Sequence, residues 1–410
     1  MLEPILLAGA VFAVLAWAVL AAYVLRIDRL RRTARDQVTS VLEALRERDD
    51  PSAPMPERIA RITPILGNMS RDMVLHTAAD GGTVRSSADV LAAYMVDKWG
   101  PYILLREAAN HRAPREIWRR TASLTVVYKL GLPNTFELLA RAVKDPTTEV
   151  ASVGLTLLGT SPDPRASGLL IDALIEQRHP ASRVAVHLEH SPLRPVAAYR
   201  ALLTHADPVV RFWGATLLAG CPGVDTLETE LAELSDDPDP RVRKASVQSL
   251  GRVGGEIATA VALRLLRDEA PFVRAHAARA LGELDCMEAA GPISELLGDS
   301  DWWVRNAAKQ SLETLGGEVW PVLVRCLEHS DKFVRNGAAE VFQNLGILDS
   351  LIVMEAASDD PSRSKIDLLR RIAAAGGARM TESLVERSGS AAPRVRQLLA
   401  TMGFEHAGAA

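Results

Sequence analysis

A chain of 410 residues would ordinarily divide into two or three globular domains, and its net charge of −4 supplies no overall cationic field for nucleic acid. Hydrophobic residues reach 48% while aromatics are only 5%, so the core is built from Ala, Leu and Val, which suits closely packed helices better than sheets. Of 47 basic residues only seven are Lys, an Arg excess that reads as genomic base composition. Cys221, Cys286 and Cys326 are far apart and form no C-x-x-C pair, which argues for free thiols in a reducing compartment.

The first element in chain order is Pro4 to Leu25, an uncharged run that at ~1.5 Å per residue is long enough to cross a bilayer core. No Lys or Arg precedes it, and Arg26, Arg29, Arg31, Arg32 and Arg35 follow. The positive-inside rule then puts the short N-terminus outside and everything after Leu25 in the cytoplasm. The spacing thus predicts a single-pass anchor over 1–25 in an inner, cytoplasmic membrane. A cleaved signal peptide is the competing reading. Its positive n-region is missing, the apolar run is long for it, and the basic cluster sits on the wrong side.

Residues 26–56 read as an amphipathic juxtamembrane helix followed by the Pro-rich linker Pro51, Pro54 and Pro56. Residues 57–102 hold helices without a repeat motif and are expected to cap the array that follows. That array, over 103–403, is announced by a Val-Arg pair with Arg211, Arg243, Arg274, Arg305 and Arg335 at steps of 32, 31, 31 and 30. A fixed period near 31 means stacked copies of one supersecondary unit. The register extends back through Arg183, Ala151 and Arg120 and forward to Lys365 and Arg396, giving about ten units. Residues 404–410 are a short tail.

Each unit reads as a Leu-rich helix, an Asp/Pro turn and a second helix opening on Val-Arg. A turn Asp can accept from the free N–H groups of the second helix. Small residues such as Ala277, Ala278, Ala307, Ala308, Ala338 and Ala339 let neighbouring helices approach closely. The sequence therefore specifies an all-α fold, an α-solenoid of two-helix repeats preceded by one transmembrane helix.

The stretch Asp301-Trp302-Trp303-Val304-Arg305-Asn306-Ala307-Ala308-Lys309-Gln310-Ser311-Leu312 resembles the short bacterial HEAT repeat. The whole plan is similar to membrane-anchored bacterial HEAT-repeat proteins. That resemblance implies a ladder of recurring Arg and turn Asp between successive repeats, interrupted where Ala151 and Lys365 depart from the motif. It also brings in enzymes built on such repeats, of the phycobilin-lyase and DNA-glycosylase kinds, as an alternative function.

No constellation for chemistry is evident. His187 and His190 share a helix face at i, i+3, but no third ligand with supporting spacing accompanies them, so no metal is expected. The His-Glu pairs of the HEAT-repeat hydroxylase are absent at Arg274-Ala275-His276-Ala277, and no Gly-rich phosphate loop or G-x-S-x-G elbow occurs. One and five residues after the recurring Arg, Lys244, Gln248, Ala275, Arg279, Asn306, Gln310, Asn336 and Glu340 form a mixed polar row, so no nucleic-acid partner is expected.

The feature that points to a partner is aromatic. Two residues before the recurring Arg stand Phe272, Trp303 and Phe333, joined by Trp302; Phe212 and Trp213 follow Arg211. Stacked repeats place equivalent positions along one edge, where rigid rings can anchor a protein interface. The same rings could instead fill seams between turns as ordinary core. The expected function is a non-catalytic, membrane-tethered scaffold that binds a protein at the cytoplasmic face, with no cofactor and no small-molecule substrate.

Overall fold

The computed structural model describes residues 39, 43–45, 47–67, 69–79, 85–109, 117–358 and 362–404. Every regular element among them is helical. The span expected over 4–25 lies outside the described residues; within them, no helix is long and apolar enough to cross a membrane. The chain forms two compact units, Met1–Leu169 and Leu170–Ala410.

In the first unit, Met55–Leu66, Arg71–Ala79 and Arg85–Trp99 occupy the stretch without repeat motifs. Ile62, Leu66, Val74, Leu75, Leu91 and Met95 are fully buried there. Asp49 closes the start of this segment, accepting from Arg58 Nε and Nη2 at 2.7 Å each. Pro101–Ala108, Ile117–Leu130, Thr135–Val143 and Thr148–Gly159 follow as two helix pairs.

In the second unit the pairing is regular. First helices such as Val196–Leu203, Gly255–Leu265 and Trp320–Cys326 alternate with second helices Pro208–Leu218, Pro240–Val253, Pro271–Glu283, Trp302–Thr314 and Lys332–Asn344. All ten positions of the Val-Arg register, from Arg120 to Arg396, fall in helices. The last helical stretch, Arg363–Arg387, breaks at Gly377, whose φ of 73° and ψ of −171° suit only a residue without Cβ. That break separates the second helix opening near Lys365 from the first helix of the last unit.

The second helices start where the turn chemistry dictates. Asp207, Asp239, Asp301 and Asp331 each accept from the backbone N–H two residues on, at 2.7–2.8 Å. Such a cap is worth about 1 kcal/mol. Close packing follows from the small residues: Ala277, Ala278, Ala307, Ala308, Ala338 and Ala339 are all fully buried. At Gly214 a Cβ would sit 2.7 Å from Leu202 Cβ, so the two helices of that repeat touch through the missing side chain.

The expected ladder exists and is selective. Arg211 chelates Asp237 (2.6 and 3.0 Å), Arg243 chelates Asp268 (2.7 and 2.9 Å), and Arg274 chelates Asp299 (both 2.8 Å). In each case the remaining amino group bonds carbonyl oxygens of its own turn, as Arg274 Nη1 does with Asp268 O at 2.8 Å. The degenerate copy at Arg120 carries a rung as well, to Asp145 25 residues on. Burial alone would raise the carboxyls of Asp145, Asp268 and Asp299. The paired guanidinium and a backbone N–H outweigh it and hold all three below the usual carboxylate range.

Among the described residues, the ladder breaks where one partner's chemistry is missing. Ala151 has no guanidinium, and Lys365 pairs back to Glu355 at 2.9 Å. Beyond Arg305 the equivalent acceptor position is Ser330, and the guanidinium lies over the Phe333 ring instead, 4.6 Å from its centroid.

Candidate functional site

Phe272, Trp303 and Phe333 each occupy the second position of a second helix. The next residues, Val273, Val304 and Val334, point into the core and are buried. One residue is about 100° of helical turn, so the rings are directed out of the packed face. Phe272, Trp302, Trp303 and Phe333 are 41, 54, 63 and 46% exposed. None of the four is enclosed as core.

Phe212 and Trp213 behave differently. Both are only half-exposed and meet edge to face, with centroids 5.1 Å apart. Trp302 and Trp303 also pack edge to face at 4.8 Å, while Arg305 and Lys332 sit over Phe333 at 4.6 and 5.3 Å. Exposed rings are a feature that protein interfaces often use, since a stiff ring loses little entropy on docking.

Between Phe272 and Trp303 lies a hollow of about 380 Å³, also lined by Pro271, Ala275, His276, Arg279 and Asp301. His276 is pushed down to about 4, first by burial and then by the charges of Lys244 and Arg279, so it is neutral near pH 7. Asp301 is engaged in capping Trp303 N–H at 2.8 Å.

Sequence reasoning missed a second hollow. In the first unit a cavity of about 690 Å³ is lined by Asp72, Met73, His76, Trp118, Thr121 and Thr125 among others. Asp72 is held by Arg119, and Trp118 is 43% exposed. Trp118 stands two residues before Arg120, the same register as Phe272, Trp303 and Phe333. The period itself was the signal that identifies it.

Metal chemistry finds no support among the described residues, which contain no group of three or more His, Cys, Asp or Glu able to hold an ion. In the His187/His190 pair, His190 Nδ1 lies 2.8 Å from Val186 O. Burial, then His190 and Arg183, lowers His187. All three cysteines are free, and burial raises the Cys221 and Cys326 thiols.

Residues 196–274 and 259–343 match the HEAT-repeat family. This stretch is built of HEAT repeats. The match falls where the Val-Arg register is cleanest, within an all-helical array. Among curated proteins, the chain is 36% identical over 100 residues to phycocyanobilin lyase subunit alpha of Picosynechococcus sp.. That match takes in 22% of this chain and 37% of the lyase subunit.

Among solved structures it is similar to the karyopherin Kap121p bound to the extreme C-terminus of the protein phosphatase Cdc14p. There the identity is 14%, the TM-score 0.44, and the coverage 86% of this chain and 46% of the karyopherin. Human deoxyhypusine hydroxylase is another, at 20% identity and a TM-score of 0.27, covering 70% of this chain and 98% of the hydroxylase. The chain spans less than half the length of the lyase subunit and of the karyopherin it matches.

Proposed function

We propose that the protein is a non-catalytic scaffold, tethered through residues 1–25 to the cytoplasmic face of a bacterial membrane, that binds a protein partner along its aromatic edge. The observation that carries this reading is the exposure of Phe272, Trp302, Trp303 and Phe333 at repeat-equivalent positions in a chain with few rings. Repeats without a catalytic constellation, stacked to present one residue type along an edge, suit recognition better than turnover. The tether rests on the uncharged run from Pro4 and the five arginines behind it.

The test is Trp302→Ala and Phe333→Ala, each checked for an unchanged thermal midpoint and then assayed for recovery of the native partner. Truncating a central ring costs ~2 kcal/mol or more, about thirtyfold in affinity. Lost stability with unchanged recovery would make these rings structural and end the proposal.

The lyase match favours a second reading, in which the repeats handle a bilin. Mixing the purified chain with phycocyanobilin separates the two. A shifted and sharpened visible absorption band supports the enzyme reading, and an unchanged spectrum supports the scaffold.

A further inference from the structure

The hollow between Phe272 and Trp303 has cations beside its rings. Arg279 lines it, and Lys244, one repeat earlier, acts on the His276 ring that also lines it. Neither Lys244 nor Arg279 forms an ion pair or side-chain hydrogen bond among the described residues. The neighbouring guanidiniums of Arg243 and Arg274 are, by contrast, saturated by Asp268 and Asp299. An Arg279 without an ion-pair partner therefore lines the hollow beside two exposed rings, and the charge of Lys244 reaches the same His276 ring. Asp301, whose carboxylate caps the Trp303 N–H, is the one carboxylate lining the hollow, and the two cations acting there outnumber it.

We propose that this hollow receives an acidic peptide segment of the partner protein. Its carboxylates lie against Arg279, within the field of Lys244, and its apolar side chains pack between Phe272 and Trp303. The proposal rests on the scaffold reading and names the chemistry of its partner. A space of about 380 Å³ admits a short extended segment and not a folded domain. Ring walls supply the area, and unpaired cations supply selectivity for carboxylate over neutral side chains. Neutral His276 leaves room for a further gain: a bound carboxylate favours its charged form and raises its pKa from about 4.

The experiment is selection of a random dodecapeptide display library on the full-length chain in detergent, followed by affinity measurement on synthetic versions of the enriched peptides. The expected result is enrichment of Asp and Glu beside aromatic or aliphatic residues. Affinity should fall about tenfold for Lys244→Gln and for Arg279→Gln, each with an unchanged thermal midpoint. His276 should titrate higher in the peptide complex, by NMR.

Enrichment of neutral or basic peptides, no enrichment at all, or acidic peptides indifferent to both substitutions would overturn the proposal. So would binding of an oligothymidylate through Arg279 without acidic-peptide enrichment, which would assign the hollow to nucleic acid. None of these outcomes touches the scaffold reading, which stands or falls on partner recovery by Trp302→Ala and Phe333→Ala.

Discussion

Asp299→Asn tests whether the Arg–Asp ladder carries coupling between repeats. Asp299 accepts two bonds from Arg274 at 2.8 Å and one from Asp301 N–H at 2.8 Å, and both side chains of the pair are largely buried, 14% exposed for Arg274 and 8% for Asp299. The amide keeps one acceptor oxygen for these three donors and turns an N–H₂ toward a cation. Breaking a fully buried ion pair costs ~3–5 kcal/mol. Here the guanidinium keeps the carbonyls of Asp268 and Glu269 and some water, so the expected cost is about 2–3 kcal/mol.

Native-state hydrogen exchange is the suitable assay, because a repeat array opens locally as well as globally. Protection should fall in Pro271–Glu283 and Trp302–Thr314 and much less in Ile117–Leu130. A double-mutant cycle with Arg274→Gln should return a coupling of about 1–2 kcal/mol. The sign with pH is fixed as well. Asp299 titrates below its unfolded value, so the rung's contribution is complete above the ordinary carboxylate pKa and is lost as pH falls through the depressed one. A cost below about 0.5 kcal/mol, or a coupling of zero, would refute the ladder as a source of stability.

Three further outcomes are expected. Leu281→Ala, at a fully buried position, should cost ~2–5 kcal/mol, with exchange rising in its own repeat and the two beside it; uniform loss along the array would contradict nearest-neighbour packing. His276 has its pKa lowered from 6.5 to about 4, so the unfolded chain takes up a proton that the fold refuses, and stability drops as pH falls from 6.5 toward 4. Because the ring is part-exposed, screening limits this to about 1–2 kcal/mol; His276→Gln should flatten the thermal midpoint across that window, and an unflattened profile would deny His276 its burial. A reporter fused after Ala410 should behave as cytoplasmic, and digestion of the repeats by external protease in intact spheroplasts would reverse the topology.

The repeat register was legible where the motif is clean, over 196–343, because Val-Arg at a fixed period encodes the buried Val and, where an Asp follows, the paired Arg. Every register position from Arg120 to Arg396 lies in a helix, including the copies whose motif is degraded. The ladder was legible only where both partners kept their types. Asp145 marks the Arg120 rung, and Ser330 marks its loss after Arg305. What the sequence hid is the choice of ring or carboxylate for that orphaned guanidinium, since Phe333 reaches Arg305 only through the stacking of adjacent second helices. The aromatic register was visible for three central repeats; Trp118 escaped because its copy is degenerate. The Lys244–His276–Arg279 cluster escaped for a different reason. Its members occupy neighbouring repeats and unlike positions of the motif, so only the packed helices bring them together.

Photo-crosslinking in the native membrane, with benzoylphenylalanine placed in turn at positions 303, 333 and 257, examines the binding edge itself. Ile257 is the control, 41% exposed but on a first helix. The same protein should be captured from 303 and 333, far less from 257, and its capture should be lost when Trp302→Ala is added. Equal capture from all three positions, or capture indifferent to Trp302→Ala, would show that the aromatic edge is not where this solenoid meets its partner.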